Sequence, residues 1–305
     1  MARSSRLLAI IAATTITASS LVHAQALEPR AYANAPVGLN FLLLGYQHSS
    51  GSLLFDPSVP IADANVSIDM EILAYVRSLD IAGHSAKVGA VLPYASLDGN
   101  GYVNGDYQTR QVDGLADPSL YFTINLSGAP ALSPEQFKAY QQDTIIGFTF
   151  KLTAPLGQYQ EDKLINLGTN RWSFEPEFGI SQALGKWTVE AATAAIFYTD
   201  NDEFDSDKTR HQDPIYSMQF HVIYSLPKNI WLAVSTTYYT GGRTTIDGVQ
   251  KNDLQQNWRT GITLALPVNR NHSLKIYGSN GVSTRTGTDY EILGIAWQYR
   301  WGRGF

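Results

Sequence analysis

Three sets of side chains have the types and spacing for chemistry. His48-Ser49-Ser50-Gly51-Ser52 offers a base beside several hydroxyls, the raw material of nucleophilic catalysis. A nucleophile needs its base within hydrogen-bond reach and a third group to orient that base. No Asn or Asp at a matching position of a neighbouring strand is evident, so a Ser- and Gly-rich turn is the commoner meaning of this run. Asp200, Asn201, Asp202, Glu203, Asp205 and Asp207 crowd one loop, where they could take a hard cation or bridge to lipopolysaccharide phosphates. The order of an EF-hand is absent, and a solvated acidic loop is the plain alternative. The third set is the charged residues of alternating segments: Asp69, Glu71 and Arg77; Lys151; Arg171, Glu175 and Glu177; and Arg259, with Glu190, His221, Lys275 and Arg300 in similar positions. Lining a lumen, opposed acidic and basic walls would set a transverse field and steer a polar solute. The same groups could equally pair across a narrow interior and hold its wall together. His84, His211 and His272 have no metal-ligand spacing, and the chain has no cysteine. No catalytic residue, metal or cofactor is expected.

The segments that must position these groups show a period of two. From Arg171 to Ser181 the chain reads R-W-S-F-E-P-E-F-G-I-S, apolar at the even positions from Trp172 to Ile180 (Pro176 among them) and charged, polar or Gly at the odd ones. In an extended strand the two sets occupy opposite faces. The pattern recurs, with these residues expected to point outward: Val66, Ile68, Met70, Ile72, Ala74 and Val76; Leu120, Phe122, Ile124 and Leu126; Ile146, Phe148, Phe150 and Leu152. It continues through Tyr216, Met218, Phe220, Val222 and Tyr224, then Trp258 to Leu266, and ends on Leu293, Ile295, Trp297, Tyr299 and Trp301. About twelve such segments of roughly ten residues fit tilted transmembrane strands.

The ends of the chain point the same way. Arg3 and Arg6, an apolar run from Leu7 to about Ala18 and small residues before Ala24 or Ala26 make residues 1–24 a signal peptide, with cleavage after 24 or 26. Residues 25–305 are read as one domain, an all-β, transmembrane antiparallel up-and-down barrel. No later run approaches the ~20 apolar residues of a membrane-spanning helix, and only a closed barrel then satisfies every backbone group in lipid. The 17 Tyr, 12 Phe and 6 Trp suit the aromatic girdles of such barrels. A net charge of -5 with mixed signs gives no basic patch for nucleic acid. The outer membrane of a Gram-negative cell, its lipid and lipopolysaccharide, and the barrel-assembly machinery acting on the terminal Phe305 are the expected surroundings.

Connections alternate in length. Short ones near Asp80 to Ser85, Ala183 to Lys186, Leu226 to Asn229 and Pro267 to Asn271 belong to a periplasmic rim; longer ones at 49–64, 98–116, 155–170, 199–213 and 240–256 belong outside. The segment 127–143 is long but falls on the short-turn side, and Ser133 before Pro134 predicts a small capped helix there.

Several stretches resemble the MetA-pathway phenol-degradation family of outer-membrane proteins: Gly114-Leu-Ala-Asp-Pro118, Pro155-Leu-Gly-Gln-Tyr159, Asn166-Leu-Gly-Thr-Asn-Arg-Trp172, Thr199-Asp-Asn201, Gln212-Asp-Pro-Ile-Tyr216, Tyr239-Thr-Gly-Gly242 and Trp297-Gln-Tyr-Arg-Trp301. Leu156 stands where Thr is expected. The resemblance implies a whole barrel that passively admits small aromatic or apolar solutes. They would pass Asp69, Glu71, Arg77, Lys151, Arg171, Glu175, Glu177 and Arg259, with Tyr121 and Tyr277 offering aromatic contact. An outer-membrane lipid enzyme using His48 and Ser50, and a closed structural barrel, are the other two classes. Only about a dozen residues lie between the cleavage site and a first strand near Gly38, so a plug, if any, must come from an inward-folded loop, with 98–116 and 240–256 the candidates by length.

Overall fold

A strand that alternates apolar and polar residues needs a neighbour on each edge, and a ring of such strands leaves no edge open to lipid. The computed structural model describes residues 28–54, 61–103 and 105–302. The signal-peptide expectation and Phe305 lie outside the described residues. Among these, the strands are β1 (Asn40–Leu54), β2 (Ile61–Ile81), β3 (His84–Val103), β4 (Asp106–Leu115), β5 (Ser119–Ser127), β6 (Thr144–Thr153), β7 (Ser173–Leu184), β8 (Trp187–Tyr198) and β9 (Asn201–Phe204). They continue with β10 (Lys208–Gln212), β11 (Ile215–Ser225), β12 (Trp231–Gly241), β13 (Thr244–Ile246), β14 (Val249–Gln250), β15 (Gln255–Pro267), β16 (His272–Ser283) and β17 (Gly287–Trp301).

Twelve of them close an antiparallel barrel. The order runs β1-β2-β3-β5-β6-β7-β8-β11-β12-β15-β16-β17, and the last strand pairs with the first, Leu44 opposite Trp297. The outer face carries the expected apolar belt. Leu120, Phe150, Phe178, Phe220, Val234, Ile262 and Ile295 are all exposed. Leaving a large apolar side chain in water forgoes about 1.5–3 kcal/mol, so this band is built for lipid. Aromatic rings mark its edges, Tyr75 by Trp301 and Trp187 by Tyr224 toward the short turns, Tyr238 by Trp258 toward the long loops.

The helix α1 (Pro134–Phe137) forms where expected, with a complete capping box between Ser133 and Gln136. The long connections are less loose than expected. β3 and β4 make a hairpin that extends the wall outward over most of residues 98–116, and 240–256 contributes β13 and β14 to a separate four-stranded sheet β14-β13-β10-β9. Most of residues 98–116 thus belong to the wall and form no plug.

One strand reverses the sequence reading. In β2 the even residues Val66, Ile68 and Met70 are buried, packed inside with Ala95, Leu97, Ala116 and Leu167, and the odd residues face out. Asp69, Glu71 and Arg77 are therefore on the exterior. The cause is length. At about 3.3 Å per residue, a strand of 21 residues is roughly twice what the ~25 Å apolar band takes up. Leu73 and Tyr75 meet lipid, whereas the outer half of β2 stands in water, where apolar residues turn inward as in a soluble protein.

Candidate functional site

What crosses the lumen is the N-terminal segment 28–39. Its path is set by hydrogen bonds at the periplasmic rim, Val37 N to Leu132 O (2.9 Å), Gly38 N to Ser78 O (3.1 Å) and Asn34 Nδ2 to Pro130 O (3.1 Å). From there it turns up into the barrel. Tyr32 is buried, its ring against Gly147 and Gly179, which face each other across β6 and β7. A Cβ at either glycine would overlap the ring, so this glycine pair is a socket cut to the aromatic. Tyr32 Oη donates to Glu177 Oε1 (2.7 Å), Asn125 Nδ2 to Tyr32 O (3.2 Å), Lys87 Nζ to Ala31 O (2.8 Å), and Arg30 N to Glu190 Oε2 (2.7 Å). The Arg30 guanidinium lies over Trp231. The segment thus touches β3, β5, β7 and β8 through hydrogen bonds and β12 through the Arg30–Trp231 contact. It is held in the lumen without being part of the wall, a role the sequence reading gave to the loops. The signal available was Tyr32 itself, an aromatic before the first strand.

The interior also receives Lys151 and Glu175, joined as an ion pair between β6 and β7. Tyr121 lies flat on Gly89 and Tyr277 on Gly294, each ring covering the glycine opposite it on the neighbouring strand. Tyr277 Oη donates to Gln47 Oε1 (3.2 Å). Arg259 is buried, with Nη1 on Ser279 Oγ (2.9 Å) and Nη2 on Tyr290 O (2.9 Å). Arg171 is inside too, at the outer rim just before β7, over the Tyr198 ring at 4.2 Å.

The outer end is tied by one knot. The Asp117 carboxylate accepts from Gly157 N (2.9 Å), Thr169 N (2.8 Å) and Thr169 Oγ1 (2.7 Å). Asn201 Nδ2 donates to Tyr159 Oη (2.9 Å), and Asn170 Nδ2 to Asn201 Oδ1 (3.0 Å). Arg171 Nη2 donates to Gln212 Oε1 (2.5 Å), whose Nε2 donates to Gly242 O (3.0 Å). Six stretches scattered from Gly114 to Gly242 thereby meet at one place. Burial raises the Asp117 carboxyl above its ordinary range, outweighing those hydrogen bonds and Arg171. Burial, then the nearness of Arg171, brings Arg210 down to about 9. Beneath the knot, Ile165 and Leu167 pack on the apolar inner wall of β2 and β3.

On the exterior, Asp69 has a partner that the sequence reading missed. His48 Nδ1 is 2.9 Å from Asp69 Oδ1, and Tyr46 Oη donates to the same oxygen. His48 and Asp69 are directly opposite in the β1–β2 register. Ser50 is on the same face, but no hydrogen bond joins it to His48 among the described residues. In the acidic loop, Asp200 is engaged by His211 and Asp205 by Lys208. No group of three metal-ligating side chains is placed to share an ion among the described residues.

A closed twelve-stranded barrel with a lipid-facing belt and an internally held segment defines an outer-membrane β-barrel protein. Residues 50–299 match the family described as "Putative MetA-pathway of phenol degradation", and the chain belongs to that family. An outer membrane channel from Pseudomonas putida F1 has a similar structure, with a TM-score of 0.78 and 23% identity over 90% of this chain and 100% of that one. The transport unit of the autotransporter AIDA-I from Escherichia coli is similar at a TM-score of 0.53 and 10% identity, over 92% of this chain and 94% of that one. The beta domain of the Bordetella autotransporter BrkA gives 0.51 and 10%, over 87% and 100%. At these identities the likeness is one of fold. No curated protein matches the sequence.

Proposed function

We propose that the protein is a passive, non-enzymatic outer-membrane channel for small solutes, with aromatic or apolar compounds favoured, and that the segment 28–39 closes its periplasmic half. The observation that carries this reading is the way the lumen is filled. A barrel whose role is mechanical can fill itself with wall side chains. Here small residues such as Gly147 and Gly179 leave room on the wall, and a separate segment occupies it through a handful of polar contacts. The P. putida protein is named a channel, and the family description refers to phenol degradation, which supports an aromatic solute.

Solute entry into proteoliposomes carrying the refolded protein tests the reading, with benzyl alcohol compared with a polar sugar of similar size and empty liposomes as baseline. Faster aromatic entry supports the channel. Entry at baseline for both solutes returns the protein to a closed structural barrel.

A further inference from the structure

Arg171 is 2% exposed, yet only one of its three nitrogens has a partner. Nη2 donates to Gln212, whereas Nε and Nη1 are buried without a hydrogen bond. No carboxylate stands at ion-pair distance among the described residues; Asp117 and Asp200 act on it only from farther away. The oxygens of Asp117 are already engaged by Gly157 and Thr169. Natural interiors seldom leave a guanidinium donor unsatisfied, and a buried charge calls for a counter-charge.

The surroundings narrow what could supply one. Tyr198 lies under the guanidinium and packs with Ile196, Ile215 and Tyr239 into an apolar cluster on the inner wall. The Tyr239 hydroxyl and Thr237 Oγ1 are buried beside each other on the same wall. Arg210 adds a second positive charge nearby. The unmet donors of Arg171 border aromatic and aliphatic surface. We propose that this cluster at the outer rim binds a small organic anion, a carboxylate carried on an aromatic ring, with Arg171 as the group that takes the carboxylate and Tyr198 and Tyr239 flanking the ring. This rests on the channel reading and names the solute class of the same pathway.

The test is a calorimetric titration of the folded, detergent-solubilised protein with benzoate, benzyl alcohol and acetate. Benzoate binding at least about tenfold tighter than either of the others is expected, because only benzoate has both the charge and the ring. Arg171→Met is expected to remove that preference. Arg171→Lys, which keeps the charge but has fewer and differently placed donors, is expected to retain part of it. If the Met variant does not fold, the wild-type comparison alone decides. Benzoate binding no tighter than benzyl alcohol, or a preference unchanged in Arg171→Met, overturns the proposal. Wild-type proteoliposomes that still admit benzyl alcohol would show the channel reading standing when this one has fallen.

Discussion

Tyr32 and Glu177 are 145 residues apart in the chain and are joined inside the barrel by a 2.7 Å hydrogen bond from the phenol to the carboxylate. The bond ties a segment outside the wall to β7, so it can be removed without unpairing a strand. Hydrogen bonds to a charged group contribute about 1.5–3 kcal/mol, and each ~1.4 kcal/mol is a tenfold change in an equilibrium. Tyr32→Phe is therefore expected to raise solute entry into proteoliposomes by about an order of magnitude while the barrel keeps its heat-modifiable gel mobility. Glu177→Gln should act in the same direction and less strongly, since its amide oxygen still accepts.

The glycines give a sharper comparison. Gly179→Ala puts a methyl into the Tyr32 ring, and Gly89→Ala puts one into the Tyr121 ring. Tyr32 belongs to the segment held inside the barrel, whereas Tyr121 belongs to β5 of the wall. Gly179→Ala should raise solute entry, and Gly89→Ala should lower the urea-unfolding free energy by about 1–3 kcal/mol, the usual cost of overpacking, with no rise in entry.

The exterior position of Asp69, Glu71 and Arg77 makes a further prediction. Replacing all three by Ala should leave solute entry within about twofold of wild type, since surface changes are typically worth under about 0.5 kcal/mol each. A cysteine placed at Asp69 should react with a bulky maleimide too large to enter the lumen, and one placed at Glu175 should not.

The outer knot carries a pH signature. A carboxyl whose pKa is raised in the folded state contributes stability that is complete below its unfolded value and is lost as pH rises through the folded one. For Asp117 the lower bound of that window is 3.8. Protease cleavage within 155–170 should accordingly be slower at about pH 4 than at neutral pH, using an acid-tolerant protease. Asp117→Asn should flatten this dependence and speed cleavage at both, because its amide cannot serve all three donors.

Much of the fold was legible in the chain. The alternation around Phe174, Phe148, Phe220 and Ile262 fixes which face meets lipid because those strands are about as long as the bilayer band. β2 defeated the same rule because it outruns the band, and beyond the lipid the meaning of an apolar face inverts. Parity alone gives Lys151, Glu175, Glu177 and Arg259 the inner face, and these side chains lie there in the barrel. The Tyr32 socket was not legible, since nothing local links an aromatic before the first strand to glycines 115 and more residues later. Nor was the Asp69–His48 pair, because it depends on the β1–β2 register, which the sequence does not state. The family-like stretches read as scattered loops until the fold brought Asp117, Gly157, Thr169 and Gln212 together.

The most direct measurement is planar-bilayer conductance of the wild-type barrel and of Tyr32→Ala. The account predicts small discrete steps for wild type and larger or more frequent openings for Tyr32→Ala, at equal protein incorporation. Silence from both would contradict it and leave a barrel closed by its own wall.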